Sequence, residues 1–301
     1  MIIGVDVSIA NALRRILLAE VPTISIENVW ISVNHSIVQD EVLAHRIGLI
    51  PIKADPRKLD FVNDPNEEGN LFCFTFIHTY FSNIATETDT IVFHLDVTCP
   101  NPPSDITEEE KRNFSYKVMS ESIEWHPAGN QENVFPEGVK PVNKDIVITV
   151  LRPGQQLEFE AHAVKGIGKD HTKFSPVATA SYRLMPDISF SEKVINDRAY
   201  ELRDMCPMGV FDIEDIKLPG TTEKVPTAVA SRPRDCTMCR ECIRNDGWSD
   251  SVILRRKADH FIFSVESTGC IPAADVVEEA ILILKAKASK FYHLADEYVE
   301  A

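Results

Sequence analysis

The apolar residues of this chain change their period along its length. From Ile91 to Val97 they alternate, placing Ile91, Phe93, Leu95 and Val97 on one face and Val92, His94 and Asp96 on the other. After Pro272 the pattern is helical, and Val277, Ile281, Leu284, Ala288 and Phe291 step by four, three, four and three. A period of two defines a half-buried strand, and a period near 3.5 defines a helix seam of the coiled-coil type. Holding both in separate stretches makes the chain α+β, with sheet and helix segregated. The seam is about four turns long and closes on Phe291 and Tyr292, so it suits the chain's own sheet and a partner chain equally well.

Ser8 is the predicted N-cap of a first helix running to about Glu20, with Ile9, Leu13, Ile16 and Leu17 at helical spacing and Val21-Pro22 as its stop. Arg14 and Arg15, adjacent on that helix, diverge by roughly 100°, so they do not share its apolar stripe. Ile24 to Val33 reads as a strand, and Asp40 caps a short helix that Gly48 ends before Pro51. Strands are predicted at 71–81, 91–97, 146–151 and 157–163, the last two joined by a hairpin at Pro153-Gly154. A strand at 177–185 and a pair of strands at 251–255 and 261–266 precede the terminal helix. The chain thus divides into residues 1–53, a β-rich module at 54–173, a strand at 174–185, a cysteine-containing module at 186–250, and terminal strands and helix at 251–301.

The 301 residues are 44% hydrophobic and 26% charged, the make-up of a globular chain of two domains or one elaborated one. Thirty-one Lys and Arg face 46 Asp and Glu, and the formal charge of −15 disfavours capture of nucleic acid by the isolated chain. No run approaches the ~18 apolar residues of a membrane span, and Met1-Ile-Ile-Gly-Val-Asp6 lacks the basic and apolar regions of a signal peptide. The expected location is intracellular, with no membrane partner.

Gly166-Ile-Gly168-Lys169 invites a phosphate-loop reading, but Ala163 and Asp170 stand where that pattern needs Gly and Ser or Thr. The chain has no nucleophile elbow and no His-Glu-x-x-His helix, its nine His are scattered, and no set of residues supports a catalytic site. The cysteines are different. Three of the seven fall at Cys236-x2-Cys239-x2-Cys242, the spacing shared by bacterial-type [4Fe–4S] proteins. Asp246 occupies the place of a fourth ligand, and Cys206, followed by Pro207, is the candidate in its stead. Zinc competes, since four thiolates also suit a tetrahedral site, although zinc ligands usually come as two separated hooks. A metal-free loop is the third possibility. Arg232, Arg234, Arg240 and Arg244 would offset thiolate charge in each case.

Two stretches resemble a known superfamily. Asn11-Ala-Leu-Arg-Arg-Ile-Leu-Leu18 and Ser36-Ile-Val-Gln-Asp-Glu-Val-Leu-Ala-His-Arg-Ile-Gly-Leu-Ile-Pro-Ile52 are similar to the assembly region of alpha-type subunits of multisubunit RNA polymerases, bacterial and archaeal members included. Residues 164–183, Val-Lys-Gly-Ile-Gly-Lys-Asp-His-Thr-Lys-Phe-Ser-Pro-Val-Ala-Thr-Ala-Ser-Tyr-Arg, together with Phe263-Ser-Val-Glu-Ser-Thr-Gly269, look like the larger alpha-like subunits shared by eukaryotic RNA polymerases I and III. The likeness to the third subunit of RNA polymerase II is weaker.

The resemblance implies a discontinuous dimerisation domain formed by residues 1–53, 174–185 and 251–301, a β-rich insert at 54–173, and a ferredoxin-like module at 186–250. It implies a non-catalytic assembly subunit in a nuclear enzyme, nucleolar and nucleoplasmic, that makes rRNA, 5S rRNA and tRNA. It also implies a heterodimer with a smaller alpha-like subunit, docking to the large catalytic subunits, and nucleic acid met only through the complex. Asn11, Leu13, Arg14 and Arg15, then Asp40, Glu41, His45 and Arg46, match the family's assembly motifs. With Leu17 and the seam residues, Leu13, Arg14, Arg15 and Arg46 are the expected interface. The insert lacks the clustered cysteines that hold zinc in the polymerase II relative, carrying Cys73 and Cys99 alone. Family members also begin with an extension and a first strand for which this sequence shows no counterpart, and the cysteine module is a feature of the archaeal counterpart and of only some eukaryotic relatives, so the resemblance does not imply an occupied cluster. The competing reading, from a different class, is an iron–sulfur electron-transfer protein that uses Cys206, Cys236, Cys239 and Cys242.

Overall fold

A computed structural model describes residues 1–62, 86–103, 111, 113–217 and 224–300. The predicted strand at 71–81 and Cys73 lie outside the described residues. In chain order the elements begin β1 (Ile2–Ile3), α1 (Val7–Ala19), β2 (Pro22–Asn34), α2 (Asp40–Gly48), β3 (Ile52–Lys53), β4 (Thr90–Thr98), β5 (Tyr116–Met119) and β6 (Glu124–His126). They continue with α3 (Gln131–Val134), β7 (Lys140–Pro141), β8 (Val147–Leu151), β9 (Gln156–Ile167), β10 (Val177–Phe190) and α4 (Asp197–Met205). A hairpin of β11 (Phe211–Lys217) and β12 (Lys224–Ala230), then β13 (Val252–Ser267) and α5 (Ala273–Glu300), complete the described chain. The α+β class holds, and contacts divide the chain into two compact units, 1–11 with 181–264 and 12–180 with 265–301.

The larger unit is built on a four-stranded antiparallel sheet in the order β2-β9-β4-β6. The alternation in β4 does what its period requires: Ile91, Phe93 and Leu95 are buried, while Asp96 is exposed. Leu157, Phe159, Ala161 and Ala163 of β9 point to the same core, which α2 closes with Leu43 and Ile47. Gly48 is the last residue of α2, and the Ser25 hydroxyl donates to its carbonyl at 2.9 Å. A Cβ there would lie 3.3 Å from the Ile26 carbonyl oxygen, so this glycine serves a close approach of helix to strand.

The smaller unit holds the sheet β1-β13-β10, the β11–β12 hairpin and α4. Its core gathers Val194, Leu202, Phe211, Cys242, Trp248 and Val252. The Arg198 guanidinium lies over the Trp248 ring, 4.7 Å from its centroid.

Three local expectations are corrected. Asp6, not Ser8, caps α1: its carboxylate accepts from the Ser8 amide at 2.8 Å and the Ser8 hydroxyl at 2.6 Å, and these bonds hold its pKa below the usual carboxylate value. The Pro153-Gly154 turn exists, with Gly154 at φ 78°, but it joins strands of different sheets: β8 pairs with β5 while β9 is taken between β2 and β4. The expected strand pair at 251–266 is one 16-residue strand, β13. Nothing between Arg255 and His260 turns the chain, and 255–259 are exposed, so the strand runs on through its polar middle. A two-residue strand, β1, is also present, Ile2 and Ile3 pairing with Phe261 and His260.

The rejected phosphate loop has a packing explanation. Beyond β9 the chain runs against the end of α1, where the Lys169 amide donates to the Ala19 carbonyl at 2.8 Å and supplies one of the partners a helix C-terminus lacks. A Cβ at Gly168 would collide with the Leu18 carbonyl oxygen, and one at Gly166 would lie 2.7 Å from the Phe174 ring. Urea unfolding should therefore show Gly168→Ala destabilised by about 2–3 kcal/mol. Gly154→Ala, at a left-handed residue facing open space, should cost about 1 kcal/mol; equal effects would dismiss the close-approach account.

Candidate functional site

The interface candidates divide by where their side chains go. On α1, Leu13 and Leu17 are buried within this chain, so they spend their apolar surface internally and leave a partner little to cover. The large apolar side chains that α1 leaves outside are Val7 and Ile9, 52% and 49% exposed. Ile9 belongs to the predicted stripe, whereas Val7 precedes the predicted Ser8 cap and so lay outside the expected helix. Arg14 is half-buried and Arg15 exposed, as their divergence around the helix requires.

On α2, Arg46 is committed inside the chain. Its guanidinium donates to the Val147 carbonyl at 2.8 Å and the Ile148 carbonyl at 3.3 Å, tying the helix to β8. Asp40 accepts from the Asn34 side-chain amide at 2.6 Å, and the exposed His45 ring stands edge-on to His171, 6.3 Å between centroids. Glu41 is exposed and Asn11 half-buried.

The seam on α5 is different. Val276 and Ala280 are fully buried and face the body of the chain. Val277 and Leu284 beside them are half-buried, and Ile281, Ala288 and Phe291 are exposed. Phe291 shows 73% of its surface and Tyr292 66%, and Leu282 adds a further exposed apolar group. A soluble chain seldom exposes so many large apolar residues on one helix without a partner. Lys287 pairs with Glu20, and Arg57 reaches Asp275 and Glu279 at 3.8 and 3.5 Å, so charged contacts fix the helix while its apolar face stays open.

Cys206, Cys236, Cys239 and Cys242 come together around one cavity in the smaller unit, which Leu254 and Phe211 also line. The cavity measures about 10 Å³, room for a single water. Among the described residues no three His, Cys, Asp or Glu side chains are arranged to hold a metal ion. As they stand, the four thiols fit neither a four-iron cluster nor zinc. Their sulfurs serve the backbone instead: Cys236 Sγ accepts from the Met238 amide at 3.4 Å and Cys206 Sγ from the Val210 amide at 3.5 Å. Burial, with the neighbouring Cys206, Cys236 and Cys239, pushes the Cys242 thiol up to about 11. The loop also holds Met238 and Arg240 in the left-handed region, at φ 61° and 64°, a cost of about 1–2 kcal/mol for each non-glycine residue.

Residues 1–288 match the RNA polymerase Rpb3/Rpb11 dimerisation domain family, and the chain belongs to it. It is 46% identical over 293 residues to the DNA-directed RNA polymerases I and III subunit RPAC1 of Homo sapiens, covering 96% of this chain and 78% of that protein. Against the Saccharomyces cerevisiae protein of the same name identity is 38% over 291 residues, with 95% and 81% covered. Against subunit 3 of RNA polymerases II, IV and V of Arabidopsis thaliana it is 34% over 310 residues, with 98% and 86% covered. Membership of a dimerisation-domain family displaces the electron-carrier reading.

The raised Cys242 pKa sets a pH window. The folded state holds this proton more tightly than the unfolded chain, so its contribution to stability is full below pH 9 and is lost as pH rises towards 11. Iodoacetamide at pH 8 should label the exposed Cys239 rapidly and leave Cys242 unmodified, with Cys242 labelling rising only as pH nears 11. Equal rates at pH 8, read by mass spectrometry, would show that Cys242 is not shielded.

Proposed function

We propose that this chain is the non-catalytic larger alpha-like subunit shared by DNA-directed RNA polymerases I and III. The observation that carries the reading is the open apolar face of α5 in a member of a dimerisation-domain family. The names and identities of the relatives support the choice of polymerases. On this reading the protein acts by association. Ile281, Leu282 and Phe291 are covered by a smaller alpha-like subunit, and the heterodimer is the platform on which the large catalytic subunits assemble. Residues 1–53, 174–185 and 251–301 then serve as the discontinuous dimerisation domain, 54–173 as its insert, and 186–250 as an appended module. Arg14 and Arg15 are assigned to contacts with a large subunit, where a planar guanidinium can engage carboxylates or backbone carbonyls. The protein works in the nucleus, in the nucleolus for rRNA and the nucleoplasm for 5S rRNA and tRNA, and meets nucleic acid only through the complex.

Affinity purification of the tagged chain from its native source tests this directly. Large subunits of both polymerases I and III should co-purify; recovery of polymerase II subunits alone, or of none, would overturn it. The double variant Ile281→Asp, Phe291→Asp places carboxylates at positions exposed in the single chain, so its fold should survive. In the heterodimer those charges would be buried unpaired, at a cost of several kcal/mol, and association should weaken at least about a hundredfold. Unchanged co-purification of the smaller subunit would move the interface elsewhere.

A further inference from the structure

Within the smaller unit, β10, β13 and the cysteine loop enclose a cavity of about 330 Å³. Arg183, Arg256 and Thr237 supply its polar groups, Leu184, Pro186 and Met238 its apolar ones, and no acidic side chain lines it. In a chain with 46 acidic and 31 basic residues, a cavity whose charged groups are all cationic goes against the overall balance. Arg183 is held in place by donating to the Arg234 carbonyl at 2.7 Å. Tyr182, also in the lining, is fixed against Phe261 and Phe263, with centroids 5.4 and 5.3 Å away. Among the described residues the Arg256 guanidinium and the Thr237 hydroxyl have no hydrogen-bond or ion-pair partner. Thr237 belongs to the segment that holds Met238 and Arg240 left-handed, and strained backbone of this kind clusters at ligand sites.

We propose that this cavity is a docking site for an acidic peptide segment of another polypeptide, one that carries carboxylates beside an aliphatic side chain. Two guanidiniums set apart from any carboxylate of their own match carboxylate oxygens in charge and in planar geometry. Leu184, Pro186 and Met238 take the aliphatic group, a requirement that a bare phosphate or a nucleic-acid backbone does not meet. The formal charge of −15 further selects against a polyanion, which feels the whole molecule, and favours a short segment that feels the cavity.

The inference does not depend on the polymerase reading, because co-purification tests that reading and a titration tests this one. The full chain would be titrated with the fluorescein-labelled hexapeptide Leu-Asp-Asp-Leu-Asp-Leu and followed by fluorescence anisotropy. Saturable binding is expected, weakening with salt, and lost when Asn replaces each Asp of the peptide. Arg256→Ala should weaken it about tenfold, the size of one charge-assisted hydrogen bond, and Arg256→Lys should recover part of the loss. Thr237→Glu, which places a carboxylate in the cavity from within, should abolish binding while leaving the thermal melt of the chain unchanged. No binding, binding indifferent to Arg256, equal displacement by inorganic phosphate, or tighter binding of a single-stranded oligonucleotide would each overturn the proposal.

Discussion

Strand β9 is the element on which the larger unit depends. It pairs along its length with β2 on one side and β4 on the other, and its inward residues set the depth of the core. Ala161 stands opposite Phe93, Ala163 opposite Ile91, and Phe159 opposite Leu95. Small residues therefore face large ones across two of these three pairs, so that rings and branched chains interdigitate at the density of a protein interior. Phe93 and Phe159 are fully buried, each contributing about 2–3 kcal/mol by removal from water. The chain leaving this strand then positions α1, since Gly168 lets the backbone lie against the last turn of that helix.

A core fixed in this way leaves the terminal helix only partly used. Val276 and Ala280 are the fully buried residues of α5 among those described, and its ion pairs are partly exposed, where such pairs add little stability and mainly choose an orientation. Ile281, Leu282 and Phe291 stay exposed, and on the proposed reading each would contribute about 1–2 kcal/mol when covered by a partner. The proposed assembly role fits this division: a core that folds on local terms, and a helix whose second face is left for another chain.

The sequence made these features legible to different degrees. The period of β4 and the seam of α5 are intrinsic to the residues, and both elements stand where the patterns place them. The polymerase family was legible because long stretches carry it. Pairing was harder. A proline–glycine turn signals a reversal but not which strands then meet, and β8 left its neighbour for β5 because β9 was already flanked on both sides. Nor does spacing along a helix tell which apolar residues the chain covers itself, so Leu13 and Leu17 looked available when they are buried, while Ile9 of the same stripe is the one left exposed. Arg46 shows the same limit, for a motif position reads as a contact to another chain until the carbonyls of β8 are seen beneath it.

The cysteine run shows how ligand spacing and ligand geometry come apart. Two residues between cysteines form a turn tight enough to bring the next amide back to the preceding sulfur, and a cluster protein uses that turn to aim amides and sulfurs at one inorganic core. Here the turn forms, the Met238 amide returns to Cys236 Sγ, and the sulfur closes the loop itself. Cys242, two cysteines further along the pattern, goes inward to join Trp248 and Phe211. Once it packs in that core, losing its proton is opposed by burial and by three neighbouring thiols. A metal would have to remove the proton and draw the side chain out of its packing at the same time. The crowding that in sequence resembles a set of ligands thus packs against the core of the smaller unit through Cys242, while Cys236 lines the cationic cavity beside it.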